Sequence, residues 1–270
     1  MRRADLTDKD ITSLIALCNR LADVAGTEAL RYFRTRDLTA DNKLADGFDP
    51  VTQADRAAEA AMRKILDAER PADAVLGEEH GARPGTSGLK WVLDPIDGTR
   101  AYISGTATWG VLIALCDAEG PFLGVIDQPY TGERFVGGLG QAHLSGPRGT
   151  APLQTRATHE LSAAILFSTF PEIGTEAERA AFQAVSAACK LTRYGMDCYA
   201  YGLLAAGHID LVIEAGLNSY DICAPIAVIE AAGGIVTDWQ GGPAHAGGQV
   251  LAAANADLHA AALARLQQKA

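Results

Sequence analysis

The stretch Trp91-Val92-Leu93-Asp94-Pro95-Ile96-Asp97-Gly98-Thr99-Arg100 decides how this chain is read. It opens as an apolar run suited to a buried strand. Two carboxylates then stand three residues apart around a proline, and a glycine and a hydroxyl follow. Asp94 and Asp97 offer hard oxygen ligands, Pro95 fixes φ and removes one N–H, and Gly98 lets an oxyanion come close to the backbone. A strand ending in such a turn brings a helix N-terminus, with its unpaired N–H groups, next to the cations. The same residues also make an ordinary surface turn, because Asp-Pro and Asp-Gly are common turn pairs. Alone, the stretch leaves both readings open.

Upstream, Thr7 reads as the N-cap of a helix over 7–34, with an apolar stripe of Ile11, Leu14, Ile15, Cys18, Leu21 and Ala22 facing a core. Residues 35–50 turn polar and suggest an exposed mobile loop or short hairpin. A second helix is expected over 52–70; Thr52 and Asp55 have the spacing of a capping box, which is the structural alternative for Asp55. A short strand over 74–76 ends in Gly77-Glu78-Glu79-His80-Gly81, a second acidic cluster after a strand. Downstream, segments 108–116, 122–127, 133–136 and 141–144 are separated by glycine-bearing turns of hairpin length. Residues 1–146 therefore read as an α+β lobe. The Pro- and Gly-rich segment 146–153 marks the boundary. Beyond it, strands at 165–167, 191–194, 208–214, 235–237 and 250–253 alternate with helices at 175–189, 198–206, 222–232 and 256–267, so residues 147–270 read as an α/β lobe.

The composition sets limits. With 270 residues the chain can form a two-lobed unit with a large core. The net charge is −10, from 33 acidic and 23 basic residues without a basic block, which argues against nucleic acid and means that an anionic substrate needs help from cations. Five scattered cysteines without Cys-x-x-Cys spacing argue against a disulfide framework and fit a reducing cytoplasm. The N-terminus lacks an apolar signal core and no apolar run reaches bilayer length, so a soluble protein with no membrane partner is expected.

Four acidic clusters now stand at strand ends or helix starts: Asp55, Glu78 with Glu79, Asp94 with Asp97, and Asp221. In one pocket without cations they would raise one another's pKa values, so divalent ions are their natural partners. An all-oxygen set without His or Cys favours Mg²⁺, with Mn²⁺ as a substitute. Sequence spacing does not show that Glu78 and Asp221 meet, and Asp221 also suits a helix cap.

These residues carry a resemblance. Gly77-Glu78-Glu79, the stretch from Trp91 to Thr99, and Asn218-Ser219-Tyr220-Asp221 with Ala231-Ala232-Gly233-Gly234 resemble the signature blocks of the inositol monophosphatase family. Lys43 and the segment 49–55 match its N-terminal block, and the likeness spans nearly the whole chain in the family's order. It implies the layered αβαβα sandwich shared with fructose-1,6-bisphosphatase and metal-dependent hydrolysis of a phosphomonoester. It further implies that Glu78, Asp94 and the Ile96 carbonyl hold one ion and that Asp94, Asp97 and Asp221 hold a second, with Glu78 helping a third through water. Asp55 and Thr99 would orient and deprotonate the attacking water, and the N–H groups of Gly98 and Thr99 would receive the phosphate. A homodimer is implied as well.

Three further stretches resemble the histidinol-phosphate phosphatase branch of that family: Asp97 to Gly105 with Thr108-Trp109-Gly110, Asp127 to Arg134, and Arg193 to Tyr201. They imply a small phosphate ester carrying a cationic amino alcohol, with Asp97, Asp197, Glu214 and Arg193 as substrate contacts. A carboxylate at 197 suits a cation better than a neutral polyol. Asp197 also suits a helix cap, Glu214 a satisfied structural acid, and Arg193 an ion pair across a subunit boundary. An inositol-1-phosphate or broad sugar phosphatase is the enzymatic alternative, and a non-catalytic phosphate-binding protein the alternative outside enzymes.

Overall fold

The computed structural model describes residues 3–36, 38–42 and 50–268. Lys43, Asp49 and half of the loop expected over 35–50 lie outside them. Helices α1 (Asp8–Tyr32) and α2 (Gln53–Glu69) start at the threonines that the sequence marks, Thr7 and Thr52, each closing a reciprocal box with the aspartate three residues on. The remaining helices are α3 (Thr99–Ser104), α4 (Glu176–Ser186), α5 (Tyr199–Ala205), α6 (Ser219–Ala231) and α7 (Ala256–Gln267). Strands β1 (Ala40–Asn42) and β2 (Pro50–Thr52) form an antiparallel pair.

The first sheet contains β3 (Ala74–Gly77), β4 (Gly81–Arg83), β5 (Lys90–Asp97), β6 (Gly110–Asp117), β7 (Gly120–Gln128), β8 (Glu133–Gly138), β9 (Gln141–Gly146) and β10 (Gly149–Pro152), in the order β10-β9-β8-β7-β6-β5-β3-β4. The second contains β11 (Ile165–Ser168), β12 (Leu191–Tyr194), β13 (Leu211–Asn218), β14 (Ile235–Thr237) and β15 (Gly247–Ala253), in the order β12-β11-β13-β15-β14.

The period of two along these strands sorts the core into layers. Trp91, Leu93, Val111 and Ile113 face α1 and α2. Their neighbours Val92, Leu112 and Ala114 face the other way, onto α5 and α6. The same two helices pack against Val212, Val250 and Ala252 of the second sheet. On that sheet's far side Leu211, Ile213, Leu251 and Ala253 meet α4 and α7. The result is the expected αβαβα sandwich. A helix buried between two sheets must be apolar all round, and α6 is, with Ile222, Cys223, Ile226, Val228 and Ile229 all buried.

Some element bounds differ from expectation. β10 continues the first sheet beyond residue 146 by pairing with β9. The short polar β4, with little apolar pattern to mark it, pairs with β3. β13 runs on to Asn218 and α6 begins at Ser219, because a bulge between Glu214 and Leu217 lets the strand continue past Gly216.

Candidate active site

Asp94 and Asp97 lie on one strand at an odd separation, so a regular strand would send them to opposite faces. A bulge prevents this. On β6, Leu112 pairs with Asp94 and Gly110 with Asp97, so β5 spans this interval with one residue more than its partner. Pro95, which has no ladder donor, sits inside the bulge. The Ile96 N–H donates to Asp94 Oδ1 at 3.1 Å and fixes the bend. Both carboxylates then reach the same cleft.

There they meet Asp221 at the start of α6: one oxygen each from Asp94, Asp97 and Asp221 lie within 4.8 Å of one another. The Asn218 N–H donates to Asp221 Oδ2 at 2.6 Å, so Asp221 both caps its helix and faces the cluster. Glu78, at the end of β3, lines the same cleft and shares a hydrogen bond with Asp94. Burial first, then the charge of Glu78 and the other acids, raises Asp94 well above the usual carboxylate range. Asp97 is raised by burial and by Asp221, although the Cys198 N–H donates to its Oδ2 at 2.7 Å. Asp221 is pushed up to about 7, chiefly by burial.

Asp55 is fully buried behind Thr99. Its Oδ2 accepts the Thr52 N–H at 2.8 Å and the Thr52 hydroxyl, while Oδ1 accepts from Thr99 Oγ1 at 3.3 Å. Thr99 Oγ1 also lies 3.1 Å from the Ile96 carbonyl oxygen. Burial pushes Asp55 up to about 7 against the pull of these donors.

The far side of the cleft is acidic too. Asp197 is not the helix cap that its position suggested. Cys198 holds that place, and Asp197 has φ 45° and accepts from Thr108 Oγ1 at 3.0 Å. Gly98, at φ 80°, has no room for a side chain, since a Cβ would lie 2.8 Å from Asp197 Cβ. Glu214 accepts the Thr169 N–H at 2.7 Å and its hydroxyl at 2.9 Å. Burial outweighs these donors and holds Glu214 up at about 7, with the charge of Asp197 adding to the rise. The Arg100 guanidinium lies 5.0 Å over the Phe170 ring, and both residues line the cleft. The cleft holds about 280 Å³ and is lined by Glu78, Asp94, Ile96, Asp97, Gly98, Thr99, Asp197, Glu214 and Asp221, among others.

One expected contact lies away from the cleft. Arg193 is exposed on β12, the edge strand of the second sheet, and is not part of the cleft wall. One important residue was missed. Glu59 on α2 is fully buried and accepts the Glu79 N–H at 2.7 Å, the His80 N–H at 3.3 Å and Arg63 Nε at 2.6 Å, which fixes the turn that carries Glu78. Its only sequence signal was the four-residue spacing to Arg63, which reads equally as a surface ion pair.

The model of the inositol monophosphatase family matches residues 10–270. The chain belongs to the inositol monophosphatase family. It is 40% identical to the chloroplastic bifunctional phosphatase IMPL2 of Arabidopsis thaliana, over 98% of this chain and 78% of that protein. Identity to the histidinol-phosphatase of Chlorobaculum parvum is 34%, over 91% of this chain and 93% of that protein. A solved structure of an inositol monophosphatase from Zymomonas mobilis shares 42% identity and a TM-score of 0.83, over 95% of this chain and 98% of that one. The family makes this chain a phosphatase of a metal-dependent kind. The donor set fits that chemistry: clustered carboxylates whose protons burial would otherwise retain are an all-oxygen site for a divalent cation.

Proposed function

We propose that this family member is a Mg²⁺-dependent phosphomonoester hydrolase that converts L-histidinol phosphate and water to L-histidinol and phosphate in histidine biosynthesis. The observation that carries the reading is that Asp197 and Glu214 line the same cleft as Asp94, Asp97 and Asp221. A buried acid and a half-buried one in the same cleft as a metal-type cluster suit a substrate with a phosphate at one end and a cationic amine or imidazole at the other. Relatives named histidinol-phosphatase support the choice.

In this reading Glu78, Asp94 and the Ile96 carbonyl hold one ion, Asp94, Asp97 and Asp221 a second, and Glu78 helps with a third; Mn²⁺ can substitute. When bound, the ions supply a water of lowered pKa and neutralise charge on the leaving oxygen. Thr99 orients the attacking water and Asp55, joined to it, takes up the proton. Gly98 and Thr99 present N–H groups to the phosphate. Asp197 and Glu214 hold the cationic end of the leaving group. The proposal includes lobes at 1–146 and 147–270 and a homodimer in the cytoplasm.

An inositol-1-phosphate phosphatase is the second reading, favoured by the 42% identity to the Zymomonas mobilis chain. Comparing kcat/KM on L-histidinol phosphate and inositol 1-phosphate decides between them. The expected preference for histidinol phosphate is about tenfold or more, and a preference for the polyol ester overturns the proposal. Asp197→Asn should lose about tenfold or more on histidinol phosphate and much less on inositol 1-phosphate.

A further inference from the structure

Phe170 follows β11 and lines the cleft, yet 43% of it is exposed. Among the described residues it is the one exposed large apolar side chain in that wall. Core packing does not account for such a ring, and uncovered apolar surface in a ligand cleft marks a contact still to be made. The backbone beneath it is fixed. Thr169 donates its N–H and hydroxyl to Glu214, the Ser168 hydroxyl lies 3.5 Å from the Phe170 carbonyl oxygen, and the Gly195 N–H donates to the Ser168 and Thr169 carbonyls at 3.2 and 3.1 Å. The ring thus springs from the residue next to the one that binds Glu214. From α3, Arg100 sets its guanidinium 5.0 Å from the ring centroid, and its charge also acts on Asp197. The chain therefore keeps one of its own cations on an aromatic face beside the acids assigned to the leaving group. A face that holds a guanidinium attracts an ammonium or imidazolium for the same reason, the negative charge of the π cloud. A neutral polyol gains no such attraction.

We propose that Phe170 is a specificity-determining residue whose ring takes the nitrogen cation of the leaving group in the place that the Arg100 guanidinium holds in the free protein. The inference rests on the histidinol phosphate reading above. No covalent bond changes in the exchange: one cation replaces another, and Asp197 and Glu214 balance the charge of the newcomer. The two partners then have opposite effects. Removing the aromatic face weakens the hold on the alcohol and leaves the phosphate end alone. Removing the guanidinium strengthens that hold, because a competitor and a like charge are lost together.

Phe170→Leu keeps an apolar side chain and removes the π face. On L-histidinol phosphate it should lose about fivefold or more in kcat/KM, mostly through KM, and on inositol 1-phosphate less than about twofold, while Phe170→Tyr stays within about twofold of the wild type on both. Calorimetric titration with L-histidinol should show binding weakened about as much in Phe170→Leu and tightened about twofold or more in Arg100→Gln. Because Phe170 is exposed, the Tm of Phe170→Leu without ligand should stay within about 2 °C of the wild type. If the wild type itself prefers inositol 1-phosphate, the histidinol phosphate reading falls and takes cation recognition with it. If the wild type prefers histidinol phosphate but Phe170→Leu loses equally on both esters, or on neither, Phe170 alone is overturned. Unchanged or weaker binding of L-histidinol by Arg100→Gln overturns the exchange, since the guanidinium then does not compete for the ring.

Discussion

The acids of the cleft serve the fold and the site with different oxygens of one carboxylate. Asp55 closes its capping box through Oδ2 and meets Thr99 through Oδ1. Asp221 accepts from Asn218 and still reaches the cluster. For Asp55 and Asp221 the capping alternatives in the sequence are thus real without excluding the site. Crowding these charges together without cations destabilises the free protein. Asp94→Asn should therefore abolish activity while raising the metal-free Tm, by roughly 2–4 °C for each kcal/mol of relieved strain; scanning calorimetry in EDTA checks it. Glu214 gives a pH signature. Its folded pKa of about 7 stands above its ordinary 4.5, so its contribution to stability is full below pH 4.5 and is lost as pH rises through about 7. The difference is on the order of 3 kcal/mol. Glu214→Gln should flatten the fall in denaturant stability between those pH values, and an unchanged slope would count against a buried, protonated Glu214.

At the scale of elements the cleft is made by two bulges, one on β5 and one on β13. Adding or removing one residue between Asp94 and Asp97 would turn one carboxylate toward the apolar layer under α1 and α2. Packing of α2 on the first sheet has a similar tolerance: a Cβ on Gly77 would lie 2.0 Å from Glu59 Oε1. Gly77→Ala should displace Glu59 and with it the turn holding Glu78, costing about 1–3 kcal/mol in chemical denaturation and raising the Mg²⁺ concentration needed for half-maximal rate. Much of this architecture was legible. The apolar run from Trp91 to Leu93 marked a buried strand, and the Asp97-Gly98 pair marked its end. The parity of the bulge was not legible, because register depends on β6 as much as on β5. Glu59 escaped notice because its burial depends on a glycine on another element. The left-handed backbone of Asp197 and the edge position of Arg193 likewise depend on tertiary placement that local pattern does not encode.

Across the whole molecule the cluster joins distant segments: Asp94 and Asp97 come from the first sheet, and Asp221 from the helix between the sheets. An ion that binds only this assembled state stabilises all of it. Saturating Mg²⁺ should raise the unfolding free energy by about 2.7 kcal/mol at a hundred times its dissociation constant. In Asp221→Asn most of the accompanying Tm shift should vanish, whereas an undiminished shift would place the ion elsewhere. No helix among the described residues is long and apolar enough to cross a membrane. The shared middle layer has a final consequence, for modularity. Because α6 is apolar on every side and packs on both sheets, neither half of the chain carries a finished surface. A fragment cut near residue 146 would present Val92, Leu112, Ala114, Ile126 and Phe135 uncovered, an adhesive face. The two halves can therefore vary in their loops and cleft walls, but they cannot be exchanged or inherited as separate parts.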